Sequence, residues 1–394
     1  MTTRGVSNIG AAVIGSGFIG TVHIEALRRI GVHVHGLLGS TAERSAENAT
    51  RLGLALGYAS LEEMLADEQV EAVHVTSPNH LHFEQVEQIL TAGKHVICEK
   101  PLAMTSAQSA ELVSRASDSG RLAAVNFNIR FYPLNQHLRE VVGQGELGDI
   151  RLVSGHYFQD WLLMESDWNW RLEPERGGAL RAVGDIGSHW LDLTSFITGL
   201  GVSEVMADLA TFVNLRRQPK GPIETFAVQR DVETVAREIK TEDVATILLR
   251  YENGARGIVG ISQISAGRRN SLQYEIDGAK SAAAWDSEQP DMLWIGHRGK
   301  PNELVPRDAA LMSAAGRQAA ALPGGHVEGF ADTFAALFRA FYMDVAAGKM
   351  RDDPPYATFA DGHEEMLVGE AIAESSRRGQ WAEVNRSPVE VASK

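Results

Sequence analysis

Apolar positions fall into two regimes along this chain. Over roughly the first third, short apolar runs alternate with longer segments in which apolar residues recur every three or four positions. The runs at 8–15, 32–40, 72–78, 95–100 and 121–128 predict strands, the third broken by Pro78. The segments at 18–31, 40–53, 80–93 and 105–120 predict helices. The first carries Ile19, Val22, Ile24, Leu27 and Ile30 and stops at Gly31. The second opens on a Ser40-Thr41 cap signal and closes at Gly53. Strands alternating with helices of this length predict a parallel sheet covered on both faces.

After about residue 150 strand-like runs follow one another, at 150–158, 202–213, 243–251, 255–263, 271–277, 280–286 and 291–296. "ENG" at 252–254 and "DGA" at 277–279 are hairpin signals. Helical stretches interrupt at 186–198, near 327–347 and at 363–378. This half predicts an α+β domain on a mostly antiparallel sheet. Residues 214–241 are polar and weakly periodic and predict a long connection or mobile loop between strands.

With 394 residues, two domains are expected, at 1–130 and 131–394, the last helix packing back on the first. The single cysteine, Cys98, excludes an intramolecular disulfide and fits a reducing cytoplasm. No apolar run is long enough for a membrane span, and the N-terminal run is too short for a secretory signal. The net charge of −14, without a basic block, argues against nucleic-acid binding.

Candidate chemistry begins at "VIGSGFIG". Gly15, Gly17 and Gly20, with Phe18 and Ile19 between them, have G-x-G-x-x-G spacing after a strand and at the opening of a helix. Gly15 permits the tight turn, Gly17 lets a pyrophosphate approach the backbone, and Gly20 lets helix and strand pack closely. The helix N-terminus adds N–H donors. The second strand ends in Gly39, Ser40 and Thr41, followed by Arg44, with no carboxylate to read a free ribose. That pattern favours NADP over NAD, with dual use left open.

Together with that loop, "TSPNHLH" (76–82), "AGKHVICEKPLA" (92–103) and "GGALRAVGDIGSHWLDL" (177–193) resemble the glucose–fructose oxidoreductase/inositol dehydrogenase family, in order and over nearly the whole chain. The resemblance implies a Rossmann domain followed by an open-faced antiparallel sheet domain. It also implies reversible hydride transfer between NAD(P) and a carbinol carbon of a sugar, sugar derivative or cyclitol, in a homodimer or homotetramer built through the C-terminal sheet. The family's Glu-Lys-Pro falls on Glu99, Lys100 and Pro101, with a Lys–Pro bond that is typically cis, and its catalytic Asp and His fall on Asp185 and His189. A lysine at the carboxyl end of a parallel strand lies where such sheets bind ligands, and can stabilise developing alkoxide charge. A histidine four residues after an aspartate suits proton transfer. Which of Lys100 and His189 is the formal base stays open.

Further cofactor contacts are expected from Ser77, Pro78, Asn79, His82, Glu99, Asn128, Trp170 and Arg171. Arg130, Tyr157, Trp168 and His326 are expected on the substrate side, with Lys100, Asp185 and His189. His80-x-His82 lacks the companion ligands of a metal site, so no metal is expected. Two other readings remain: a non-catalytic NADP-binding sensor, and an oxidoreductase that retains its nicotinamide.

Overall fold

The computed structural model describes residues 5–221 and 233–386. They form two compact units, one of residues up to Phe131 plus Phe330–Met366, the other of Tyr132–Gly329 plus Leu367 onward.

The first unit is a parallel sheet of β1 (Gly10–Ile14), β2 (His33–Leu38), β3 (Leu56–Gly57), β4 (Ala72–Val75), β5 (His95–Cys98) and β6 (Ala123–Val125), in the order β6-β5-β4-β1-β2-β3. The short strand Ala357–Thr358 pairs antiparallel with β6 at one edge. Connections are α1 (Phe18–Arg29), α2 (Ala42–Leu52), α3 (Leu61–Ala66), α4 (His82–Thr91) and α5 (Ser106–Ser119). The caps match the sequence signals. Thr41 accepts from the Arg44 N–H at 3.2 Å, and Gly53 closes α2 in the left-handed region at φ 62°. Every residue of β1 is buried, because successive side chains enter opposite cores. Ala11 and Val13 pack with α1 and the helix Phe330–Ala347, whereas Ala12 and Ile14 join Val86 and Ile89 of α4 on the other face. Phe334, Leu337, Phe338 and Phe341 of Phe330–Ala347 are buried, each worth about 1.5–3 kcal/mol.

The second unit opens with α6 (Pro133–Gly143) and β7 (Ile150–Phe158), then α7 (Ser188–Thr198). There follow β8 (Val202–Ala210), β9 (Leu215–Pro219), β10 (Thr234–Glu238), β11 (Val244–Tyr251), β12 (Arg256–Ser262), β13 (Ser271–Gly278), β14 (Ala282–Asp286), β15 (Met292–Gly296) and β16 (Glu303–Pro306). Its nine-stranded sheet runs β16-β15-β14-β13-β7-β12-β11-β8, then Ala382–Glu383. Among the described residues, the β12–β7 pairing is the one parallel pairing of this sheet. The α7 helix is pinned to this sheet by Trp190, whose Nε1–H donates to the Gln273 carbonyl at 2.9 Å. A Cβ on Gly155 would lie 2.7 Å from that nitrogen, so glycine is needed under the indole.

The expected connection over 214–241 needs correcting. Its flanks, β9 and β10, pair as an antiparallel ribbon from Thr234↔Pro219 to Glu238↔Leu215, while 222–232 lie outside the described residues. The ribbon's polar residues hid it, yet Arg216 points inward and is fully buried. Elements with no forecast include α3, α6, β3, β16, the helices Pro174–Gly177 and Ala314–Ala319 and the strands Ala357–Thr358 and Ala382–Glu383, all of them short except α6. Among the described residues no helix is long and apolar enough to cross a membrane.

Candidate active site

The glycine loop joins β1 to α1. Gly15 has φ +102°, and a Cβ there would sit 2.5 Å from Thr76 Oγ1. A Cβ on Gly20 would lie 2.1 Å from the Gly15 carbonyl oxygen, so both glycines are required by the fold itself. Gly17 differs: it caps α1, and a Cβ there would meet nothing within 4 Å. Phe18 beside it is half exposed, whereas Ile19 packs against the core. At the end of β2, Ser40 Oγ accepts from Arg44 Nη1 at 3.4 Å and all of Ser40, Thr41 and Arg44 are exposed.

After β4, Ser77 Oγ donates to Gln85 at 2.6 Å, Pro78 leads a single helical turn, and Asn79 is buried. His82 is fully buried, with its ring nitrogens 2.9 Å from the Ser77 carbonyl and 2.8 Å from the Pro101 carbonyl. It thereby braces the loop after β4 against the chain leaving β5. Burial lowers its pKa despite those two carbonyls, so a neutral ring donates to one of them at a time.

Glu99, Lys100 and Pro101 follow β5, and the Lys100–Pro101 peptide is cis. Lys100 is partly exposed. Glu99 Oε1 accepts from Asn126 Nδ2 and faces His23 Nε2 at 3.1 Å, while Oε2 accepts from the Lys100 backbone N–H at 3.3 Å. Burial raises the Glu99 pKa, but the hydrogen bond and charge of His23, with Lys100 and Asn126, outweigh it and bring it to about 2. The folded pKa is depressed, so this stabilisation is complete above about pH 4.5 and lost as pH falls toward 2. Asn128 Nδ2 donates to Thr333 Oγ1 at 2.8 Å, and buried Arg130 pairs with Asp361 at 3.4 Å. Both side chains are thus engaged within the first unit.

In the second unit the segment before α7 is a π-helical turn, Val183–Gly187, carrying Asp185, and His189 lies in the first turn of α7. Wide turns of this kind recur at functional sites. Glu242 starts the turn by accepting the N–H groups of Arg181 (2.9 and 3.0 Å) and Val183 (2.9 Å). Asp185 is held on both oxygens. Arg171 Nε donates to Oδ1 at 2.9 Å and Gln263 Nε2 to Oδ2 at 2.8 Å. The Arg171 guanidinium lies over the Trp170 ring at 4.4 Å, which fixes its plane. His189 is buried, its ring 6.4 Å from that of Tyr157. Tyr157 donates to Asn270 Oδ1 at 2.6 Å, and burial raises its pKa beyond the physiological range. Trp168 packs with Leu162, Leu172 and Ile239, and His326 lies exposed on a loop. Among the described residues no three His, Cys, Asp or Glu side chains gather as metal ligands would.

A family model described as oxidoreductase family, NAD-binding Rossmann fold, matches residues 9–127, and a GFO/IDH/MocA C-terminal domain model matches 135–284. The chain belongs to the Gfo/Idh/MocA oxidoreductase family. Levoglucosan dehydrogenase of Pseudarthrobacter phenanthrenivorans is 27% identical over 392 residues, 96% of this chain and 99% of its own. An uncharacterized oxidoreductase of Synechocystis is 31% identical over 71% of this chain and 72% of its own. Among solved structures, levoglucosan dehydrogenase in complex with NADH and L-sorbose superposes with a TM-score of 0.86, at 26% identity, over 96% of this chain and 100% of that one. An oxidoreductase domain protein from Kribbella flavida gives 0.85, at 29% identity, over 96% and 100%.

As a Gfo/Idh/MocA oxidoreductase the chain has the fold its motifs implied, yet part of its polar machinery is invisible in those motifs. Gln263 Oε1 accepts from Arg181 Nη1 at 3.1 Å, which obliges its amide nitrogen to face Asp185. Arg181 also donates to Asp243, which accepts from Arg216 Nη2 at 3.0 Å and, through Oδ2, from the N–H groups of Phe212 (2.7 Å) and Val213 (2.8 Å). Arg181, Arg216, Asp243 and Gln263 are all buried. One signal exists for Asp243 and Gln263. Ala245, Ile247, Leu249 and Tyr251 are buried alternately along β11, as are Val259 and Ile261 along β12. Extending each alternation by one step puts Asp243 and Gln263 on the inner face.

Proposed function

We propose that this oxidoreductase moves a hydride between a nicotinamide nucleotide and a carbinol carbon of a sugar, sugar derivative or cyclitol. The observation that carries the reading is Lys100 at the carboxyl end of β5, in a chain whose Asp185, clamped on both oxygens, precedes His189 by four residues. Lys100 donates a hydrogen bond to the reacting oxygen and stabilises negative charge building there. His189 takes the hydroxyl proton on a ring nitrogen, or returns it in the reductive direction. Asp185 accepts from a neighbouring substrate hydroxyl and keeps that ring oriented. The nicotinamide supplies the hydride acceptor, or in reverse the donor. The chain's residues fit such a nucleotide: the open space at Gly17 admits a pyrophosphate, and Asn126 Oδ1 is buried without a hydrogen-bond partner among the described residues.

The 2′-phosphate form of the nucleotide is favoured by the exposed Ser40, Thr41 and Arg44 and by the lack of a carboxylate at the end of β2. The test is a panel of sugars and polyols assayed with NAD and NADP by absorbance of the reduced nicotinamide. Turnover is expected with at least one ring polyol, at higher kcat/KM for NADP. Arg44→Ala is expected to cut the NADP value about 10-fold or more, the loss of one charged hydrogen bond, and to leave NAD unchanged. A strong NAD preference sinks the cofactor assignment, and absence of turnover across the panel favours a nucleotide-binding sensor.

Self-association through the second unit's sheet belongs to the same reading. Leu248 and Ile258 are paired across β11 and β12 and are 40% and 44% exposed, with Leu152 of β7 at 39%. In light scattering, Leu248→Lys/Ile258→Lys is expected to halve the particle mass or more. An unchanged mass places the contact elsewhere. A cytoplasmic location fits the single, buried cysteine.

A further inference from the structure

Glu99 ends a line of buried ionisable side chains that the chemistry above does not use. His23 Nε2 faces Glu99 Oε1 at 3.1 Å, His23 Nδ1 faces His74 Nδ1 at 2.9 Å, and His74 Nε2 faces the Tyr342 hydroxyl at 3.0 Å. The four come from α1, β4, the end of β5 and the helix Phe330–Ala347. His23, His74 and Tyr342 are completely buried. Phe338 closes over both imidazoles, its ring centre 4.8 Å from that of His23 and 4.6 Å from that of His74.

The order of donors and acceptors follows from the groups themselves. An ionised Glu99 only accepts, so His23 carries a hydrogen on Nε2. With His23 neutral, its Nδ1 is bare and accepts from His74 Nδ1–H. His74 Nε2 is then bare and accepts from the Tyr342 hydroxyl. With His23 protonated, the two outer bonds reverse: His23 donates to His74 Nδ1, and His74 Nε2–H donates to the tyrosine oxygen. Burial, then the neighbouring His23, lower the His74 pKa well below the ordinary histidine value, which favours the neutral ring drawn in both cases. In both cases Glu99 receives the same hydrogen. The near end therefore holds Glu99 in the same way in both cases, while the two outer bonds change direction together.

We infer that Tyr342, His74 and His23 are positioning residues for Lys100. They fix Glu99, whose other oxygen holds the Lys100 backbone N–H, and so they fix the strand end from which the lysine projects. The inference rests on the role proposed above for Lys100, but its test has a readout of its own. In nitrogen-15 NMR of histidine-labelled full-length protein, His23 is expected to show a protonated Nε2 and His74 a single neutral tautomer. Tyr342→Phe removes one hydroxyl with little change of shape. It is expected to turn the His74 signals into a tautomer mixture and to lower kcat about 10-fold, within the ~10²-fold that ångström-scale misplacement can cost. Substrate KM and nucleotide Kd are expected to stay within about twofold, because a positioning group acts on the reacting geometry.

A wild-type spectrum with a bare Nε2 on His23 overturns the inference, and that measurement needs no variant to fold. So does wild-type kcat in Tyr342→Phe when Lys100→Met is inactive. If Lys100→Met itself turns over normally, the role given to the lysine fails instead, and the His23 and His74 spectra still decide whether the line is ordered as described.

Discussion

Lys100→Met protein is expected to turn over its best polyol substrate about 10²–10³-fold more slowly than wild type, the usual cost of one donor to a developing oxyanion. Methionine keeps the length and much of the apolar stem but removes the ammonium group. The folded chain should therefore survive, since Lys100 is partly exposed and the surrounding order is built by Glu99, His82 and Asn126. Nucleotide Kd is expected within about threefold of wild type, because the proposed phosphate contacts are at the glycine loop and do not involve the lysine ammonium. His189→Ala should cost about 10²–10⁴-fold in kcat, the range for a positioned proton acceptor. Both groups are assigned to the same oxygen, so the double variant should lose much less than the product of the two factors. Stopped-flow measurement of hydride transfer, beside fluorescence titration of the nucleotide, separates the two quantities. Near-wild-type turnover in both single variants removes these residues from the chemistry.

The parts legible in the sequence were those whose signals are local. β1 and the glycine loop occupy one continuous stretch, and the constraint on Gly15 and Gly20 is steric contact within it and with Thr76. The alternation of apolar runs and 3.6-period segments likewise reports local burial, so the first sheet and most of the second were readable. What escaped is polar and distant. His23 lies on the buried face of α1 beside Ile24 and Leu27, where a histidine reads as an interruption of the apolar stripe. His74 interrupts an otherwise apolar, wholly buried strand. Each has its meaning only beside the other and beside Tyr342, some 270 positions along the chain. The β9–β10 ribbon escaped for a related reason. "TVARE" exposes four of its five residues and "LRRQP" is mostly polar, and the one side chain that explains the ribbon's place, Arg216, is an arginine turned inward to Asp243. A charge that reads as solvated in a sequence is, in the fold, half of a buried pair.

Gln263→Leu is the variant expected to show most directly that this buried polar layer serves Asp185. Leucine roughly keeps the volume and removes both hydrogen bonds of the amide. Arg181 then loses one acceptor but keeps Asp243, so thermal unfolding should fall by only a few degrees, in line with about 1–3 kcal/mol for a buried bond lost. Asp185 keeps Arg171 on Oδ1 and loses the donor that held Oδ2. A carboxylate held at one oxygen can rotate about its Cβ–Cγ bond, and a bond to an ionised group is worth about 1.5–3 kcal/mol, so kcat/KM should fall about 10- to 100-fold. The decisive comparison is with Asp185→Asn. If glutamine acts through the aspartate, Gln263→Leu should cost little more once Asp185 is already replaced, and the double-mutant cycle should close with a coupling of about 1 kcal/mol or more. If the two losses simply add, Gln263 stabilises the sheet end and does not position the aspartate. Gln263→Glu gives the opposite perturbation. It keeps an acceptor for Arg181 but sets an oxygen against Asp185 Oδ2 in place of a donor, and those two oxygens can then face each other only by sharing a proton. That variant should be as stable as wild type or nearly so, and less active than Gln263→Leu near neutral pH, with activity partly recovered as the pH is lowered and the shared proton is taken up.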